Sequence, residues 1–304
     1  MLIAHEAPLC IMDKVQELTD YDYCLVHLLE ESPEYLQFFK DAQQKGRKIM
    51  MDCSLFELGK AFDPQKYYNW LLEIQPDEYI VPDVWQDYEA NSKSFSDFKY
   101  TFDLSKLKGK KIGVVQGNNI EDMKECYVFM SSFADKIAIS FGYDIYWQNF
   151  HNSYKKLLHL PWILENYTRL AETHALDLHS VEQVTLPFIK KYAKPIAQSE
   201  GRMAFINYLI DQKLINYDKP HHLLGCGIPI EFGDYDKLKH FFIESVDTSH
   251  PVMTGYYGSS YQKHEPMWSK LHSKMVDVFY ENVSNEQFDL IKTNIQEFKN
   301  LIAR

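Results

Sequence analysis

A chain of 304 residues, 45% of them hydrophobic, has ample material for a large core, and no apolar run reaches the ~18 residues of a membrane span. The formal net charge of −11 argues against indiscriminate binding to a polyanion, so any nucleic-acid contact must be gathered locally. Five scattered cysteines (Cys10, Cys24, Cys53, Cys126, Cys226), and a start without a basic-then-apolar leader, point to a reduced, cytoplasmic protein without disulfides or a metal knot.

Residues 1–20 read as a lead-in, after which strand and helix signals alternate. Tyr23-Cys-Leu-Val-His-Leu-Leu29 is a short apolar run, followed by Ser32 as N-cap and Pro33 at the first helical position. Tyr35, Leu36, Phe38, Phe39 and Ala42 recur at helical spacing, and Gly46 closes that helix. Lys48-Ile-Met-Met-Asp-Cys53 is the second strand, and Asp63-Pro64 opens a second helix. Glu78-Tyr-Ile-Val-Pro-Asp83, Lys111-Ile-Gly-Val-Val-Gln116 and Lys136-Ile-Ala-Ile-Ser-Phe-Gly142 are the third, fourth and fifth strands. His221-His-Leu-Leu-Gly-Cys226 is the sixth and Ile243-Glu-Ser-Val-Asp247 the seventh, with an eighth sought in 251–258. The runs are nearly continuous in apolar residues, as in strands buried on both faces, and their alternation with helices means a parallel sheet. The expected fold is α/β, one (β/α)8 TIM-type barrel over 1–304. A doubly wound open sheet is the alternative, disfavoured because no Gly-rich phosphate fingerprint follows any strand.

One connection breaks the rhythm. After the fifth strand, about 144–200 form a long helical insertion in which acids and bases balance at six each. Lys155, Lys156, Lys190, Lys191 and Lys194 are candidate phosphate ligands there, with Tyr146, Trp147 and Tyr154 as candidate stacking or wedging groups. A solvated helical face over a small satellite core is the other reading of the same residues. A mixed-charge helix at about 283–303 ends the chain.

The strands end on Asp52, Asp83, Gln116, Gly142, Gly225 and Asp247. In a parallel barrel these ends converge on one face. Three carboxylates, a carboxamide and exposed glycine N–H groups can recognise a flat polar heterocycle, with Phe56 and Leu224 against its faces. Turn formation plus one buried carboxylate pair is the structural alternative. The histidine pair His221-His222 cannot jointly hold a metal, because adjacent strand residues point to opposite faces.

These residues resemble a family. Asp52-Cys-Ser-Leu-Phe56, Pro82-Asp83, Gly113-Val-Val-Gln-Gly117, Ile139-Ser-Phe-Gly142, Leu223-Leu-Gly-Cys-Gly-Ile-Pro229 and Val246-Asp-Thr-Ser-His-Pro251 occur in the order and spacing of tRNA-guanine transglycosylases. The resemblance covers roughly residues 48–258 and is closest to the branch acting on DNA, often phage-encoded, which places 7-deazaguanines in the genome. It implies Asp247 as nucleophile and Asp52 as general acid/base. It implies Asp83, Gln116, Gly142 and Gly225 as groups around the base, with Phe56 and Leu224 as the sandwich. Free guanine, a 7-deazaguanine and DNA would be the partners, with no cofactor and no membrane; the oligomeric state stays open, a homodimer included. The family's zinc site, three cysteines at C-x-C-x₂-C spacing plus a histidine, has no counterpart, since no cysteine follows Cys226. That departure and the displaced insertion argue against tRNA as the polymer. The competing readings are a tRNA enzyme, a non-catalytic nucleic-acid-binding subunit, and an unrelated metal-dependent barrel hydrolase.

Overall fold

The computed structural model describes residues 1–148, 181–263, 265–268 and 273–303. Its strands are β1 (Leu2–Ala4), β2 (Asp22–Leu25), β3 (Ile49–Asp52), β4 (Glu78–Ile80), β5 (Lys110–Val115), β6 (Lys136–Ser140), β7 (His221–Leu224) and β8 (Ile243–Asp247). They form one sheet in the order β1-β8-β7-β6-β5-β4-β3-β2, every ladder parallel. Hydrogen bonds beside β1 and β2 draw the two ends of the series together. The Asp20 N–H donates to the Ile3 carbonyl at 2.9 Å, the Thr19 hydroxyl donates to the same carbonyl at 2.9 Å, and the Ile3 N–H donates to the Asp20 carboxylate at 2.9 Å. The chain is therefore a nearly closed (β/α)8 barrel.

The helix signals near the start act as the sequence predicts. Helix α3 (Pro33–Gln44) begins where the Ser32 hydroxyl accepts from the Tyr35 N–H, with Pro33 inside the first turn. Helix α5 (Pro64–Ile74) begins where Asp63 accepts from the Lys66 N–H. The abundant tyrosines are largely core, and several of them also satisfy strand carbonyls. Tyr67 donates to the Met51 and Ile80 carbonyls (3.0 and 2.9 Å), Tyr21 to Val246 (2.9 Å), and Tyr143 to Val115. A buried ring thus contributes apolar area while its hydroxyl pins the strand that carries a site residue.

Three expectations need correction. The run 23–29 is strand only to Leu25; Val26–Glu31 is helix α2, with Val26, His27, Leu28 and Leu29 all buried. A continuous apolar run of this length fits a buried strand and a buried helix equally, and tertiary packing chose. The eighth strand is not in 251–258, because His250–Tyr256 is helix α10, with Pro251 inside its first turn. The missing strand is β1, inside the supposed lead-in, so the long insertion follows the sixth strand of the barrel and not the fifth. Three residues are too few to show a period.

Helix α9 (Val181–Asp211) leads towards β7. Its Gly201 packs against α8 (Asp144–Gln148) so closely that an added Cβ would lie 2.5 Å from the Tyr146 Cβ. Between α8 and α9 the insertion lies outside the described residues. Helix α11 (Asn285–Ala303) ends the chain and packs on α10.

Candidate active site

The strand ends do converge. A cavity of about 320 Å³ opens at the C-terminal mouth of the barrel, and Asp52, Phe56, Asp83, Gln116, Gly142, Leu224, Gly225 and Asp247 all line it. Every candidate named at a strand end or against the faces of the heterocycle thus reaches one space.

Asp247 is the last residue of β8 and is 4% exposed. Its Oδ1 accepts two N–H donors, His222 Nε2 at 2.9 Å and the Gly225 backbone at 2.9 Å. No hydrogen bond among the described residues reaches Oδ2. The carboxylate is therefore clamped through one oxygen and presents the other to the cavity. The Gly225 N–H is consumed in this clamp, so it orients Asp247 instead of reading a ligand.

Asp52 ends β3 and accepts from the Tyr23 hydroxyl at 2.5 Å and the Ser54 N–H at 2.9 Å. Burial pushes its carboxyl up to about 6, and the nearby Asp247 charge pushes the same way. Ser54 holds a left-handed backbone (φ 60°), costing roughly 1–2 kcal/mol for a residue with a side chain. Its N–H to Asp52 and its hydroxyl against His27 Nδ1 (2.8 Å) fix that turn. The turn launches helix α4 (Leu55–Leu58), which carries Phe56 over the cavity. Phe56 is 53% exposed, with the Lys274 ammonium 4.6 Å from its ring centroid and donating to its carbonyl at 2.7 Å.

Asp83 and Gln116 act as a pair. The Gln116 amide donates from Nε2 to Asp83 Oδ2 at 2.7 Å, while its Oε1 accepts from the Gln86 N–H at 2.7 Å. Both partners demand the same amide orientation. The Cys53 thiol donates to Asp83 Oδ1 at 3.2 Å, and burial raises the Asp83 carboxyl to about 7, helped by the Asp52 charge. Gly142 takes φ 98°, and its carbonyl accepts from Gln198 Nε2 at 2.9 Å.

The far wall rests on a buried ion pair. Arg202, 0% exposed, binds Glu231 through two bonds of 2.7 Å and donates its remaining nitrogen to the carbonyls of Ile139, Leu224 and Gly225 (3.3, 3.1 and 2.9 Å). It ties the ends of β6 and β7 together. Removing either partner of such a pair leaves an uncompensated buried charge, a loss of about 3–5 kcal/mol. Phe141 lies against Arg202, and Gly227 lies so close to Phe141 that a Cβ would stand 1.8 Å from its ring.

Sequence reasoning missed several lining residues. Glu6 and Glu57 bring further carboxyls to the cavity, and Trp85 an aromatic face. Burial raises Glu6 well above the ordinary range and Glu57 to about 8. In the sequence His222 shows only as half of a pair that cannot share a metal. His221 does turn outward, to the Tyr127 hydroxyl at 2.9 Å, while His222 turns inward to Asp247. Strand alternation carried that signal, since His222 shares its face with Leu224. Tyr146 is corrected: at 1% exposure it is core and cannot stack on a ligand. Lys155, Lys156 and Tyr154 lie outside the described residues. Lys190, Lys191 and Lys194 fall on α9, and their side chains lie outside them too, as does that of Trp147.

Fold and site together define a (β/α)8 barrel with a carboxylate-rich, aromatic-edged cavity where such barrels keep their chemistry. No protein-family model matches the chain, and no curated protein matches it. No helix among the described residues is long and apolar enough to cross a membrane.

Proposed function

We propose that the protein is a base-exchange transglycosylase that replaces guanine in DNA by a 7-deazaguanine, such as 7-cyano-7-deazaguanine, through a covalent aspartyl-sugar intermediate. One observation carries the reading: a carboxylate clamped through one oxygen and open at the other shares a cavity with a second, buried carboxyl held near neutrality. Retaining exchange at an anomeric carbon needs this division of labour.

In the first half, Asp247 Oδ2 attacks the anomeric carbon through an oxocarbenium-like transition state, and the bond to the guanine nitrogen breaks. Asp52, protonated below about 6, gives its proton to the departing base. In the second half, Asp52 as carboxylate takes a proton from the incoming base, whose nitrogen attacks the sugar carbon and expels Asp247. Asp83 accepts from the N–H edge of the base, Gln116 holds Asp83 in place, and Phe56, Leu224 and Trp85 supply the apolar faces. The target nucleotide must leave the stack to reach this depth.

The test incubates the protein with labelled guanine or labelled 7-cyano-7-deazaguanine and either DNA or tRNA. Label is expected in DNA. Label in tRNA alone would move the enzyme to the tRNA branch, and label in neither polymer would remove the reading.

A further inference from the structure

The nucleophile's clamp continues through the barrel to its floor. His222 Nε2 meets Asp247 Oδ1 at 2.9 Å, and His222 Nδ1 meets the Ser245 hydroxyl at 3.0 Å. Ser245 Oγ meets Lys136 Nζ at 2.8 Å. Lys136 in turn reaches Glu244 at 2.6 Å and Glu78 at 3.1 Å, and Glu244 is partly exposed at the far end. Lys136, His222 and Ser245 are each 0% exposed. This line of polar groups is buried within the barrel, where each unpaired group would cost about 1–3 kcal/mol.

A bulge creates the alignment. Along the β7–β8 ladder His221 pairs with Ile243 but His222 pairs with Ser245, so Glu244 is the extra residue. The shift sets Ser245 opposite His222 and frees Glu244 for Lys136.

Counting hydrogens gives the directions along the line, with the Tyr21 hydroxyl, whose own proton goes to the Val246 carbonyl, beside Ser245 as a second acceptor. An ammonium only donates, and its three N–H groups match three partners: Glu78, Glu244 and Ser245. Ser245 Oγ therefore accepts from Lys136, and its single proton is left to donate. His222 Nδ1 accepts it, so the ring proton sits on Nε2, which is where Asp247 needs a donor.

We propose that Ser245 and Lys136 are positioning residues for Asp247: acting through His222, they keep the imidazole in its neutral Nε2–H form. The proposal rests on the reading of Asp247 as the attacking carboxylate. A donor on Nδ1 blocks the second protonation site of the ring. An imidazolium there would pair with Asp247 as an ion and quench the nucleophile; the neutral form only orients it. The groups that face His222 are Asp247 and Ser245 on β8, Lys136 on β6, Glu78 on β4 and, beside Ser245, Tyr21. Burial lowers the basicity of His222, and Lys136 lowers it further, against the pull of Asp247.

The test labels the histidines of the full-length protein with nitrogen-15 and follows each ring nitrogen by NMR between pH 5 and 8. His222 is identified by the signal lost in His222→Gln. In the wild type it should stay neutral with the proton on Nε2. Ser245→Ala should let Nδ1 take a proton inside that window, and Ser245→Thr, which keeps the hydroxyl, should restore the neutral ring. Lys136→Met risks unfolding, since it strands two carboxylates, and the serine pair avoids that. In exchange assays Ser245→Ala should lose about tenfold in kcat at one pH unit below the new midpoint, with KM unchanged. A wild-type proton on Nδ1, or a His222 in Ser245→Ala that stays neutral throughout, overturns the proposal. The NMR readout needs no turnover, so absence of base exchange would count against the function and not against the relay.

Discussion

At the scale of single residues, the proposed chemistry depends on two aspartates that differ in surroundings more than in position. Asp247 has two N–H donors on one oxygen, while Asp52 has a phenol and a backbone N–H and is pushed up to about 6. Asp247→Asn should abolish both exchange and the covalent DNA adduct that survives denaturation. Asp52→Asn should stall turnover and slow adduct formation without abolishing it, because Asp247 can still attack while the departing base lacks its proton donor. A gel of denatured adducts separates the cases, and a fully active Asp247→Asn protein would remove the nucleophile.

Asp83 gives a thermodynamic test at the same scale. Its folded-state carboxyl stands near 7, above its ordinary 3.8, so the unfolded chain ionises first as pH rises. The stability linked to this group is therefore fully present below about 4, and it is lost as pH climbs towards 7. Asp83→Asn keeps the acceptor for Gln116 without the buried charge. Urea denaturation should find it more stable than wild type by about 1–3 kcal/mol at pH 8, with the difference vanishing near pH 4. Base binding should be lost in the same variant. Equal curves at pH 8 would mean that Asp83 is not strained by burial.

At the scale of elements, the cavity's far wall is a contact between the ends of β6 and β7. Gly227 is there because the Phe141 ring leaves no room for a Cβ. Gly227→Ala should cost about 1–3 kcal/mol of overpacking and lower base affinity, because Phe141 lines the cavity. Thermal melts and equilibrium binding of guanine measure the two effects; an unchanged affinity would place the ligand away from this wall. The insertion after β6 poses a different question. Neutralising Lys155, Lys156, Lys190 and Lys191 together should weaken DNA binding and flatten its salt dependence, with free-guanine binding intact. Wild-type affinity and salt slope would send the search for the groove elsewhere.

At the scale of the whole molecule, the barrel gathers the candidate catalytic groups around one mouth, with a charged floor beneath. The described cysteines are all unpaired; Cys53 and Cys126 serve as small buried groups beside Asp83 and Gln116. With no cysteine cluster after Cys226, dialysis against a strong chelator should leave circular dichroism and exchange activity unchanged. Stoichiometric zinc lost together with activity would contradict this.

The sequence by itself determined the repeating strand-then-helix order and the residues at the strand ends. The run Ile49–Asp52 is apolar on both faces and stops on a polar group, a local pattern that needs no partner to be legible. The convergence of Asp52, Asp83, Gln116 and Asp247 followed from the closure of a parallel barrel. Tertiary structure decided the rest. Strand β1 is too short to carry a period, and its place beside β8 comes from pairing alone. Whether Val26–Leu29 extended or coiled was settled by packing, not by composition. The inward turn of His222 and its alignment with Ser245 depend on a register shift between two strands, which belongs to neither strand's own residues. The shifts of Asp52, Asp83 and Glu57 arise from burial, a property of the closed cavity that no local stretch of chain contains.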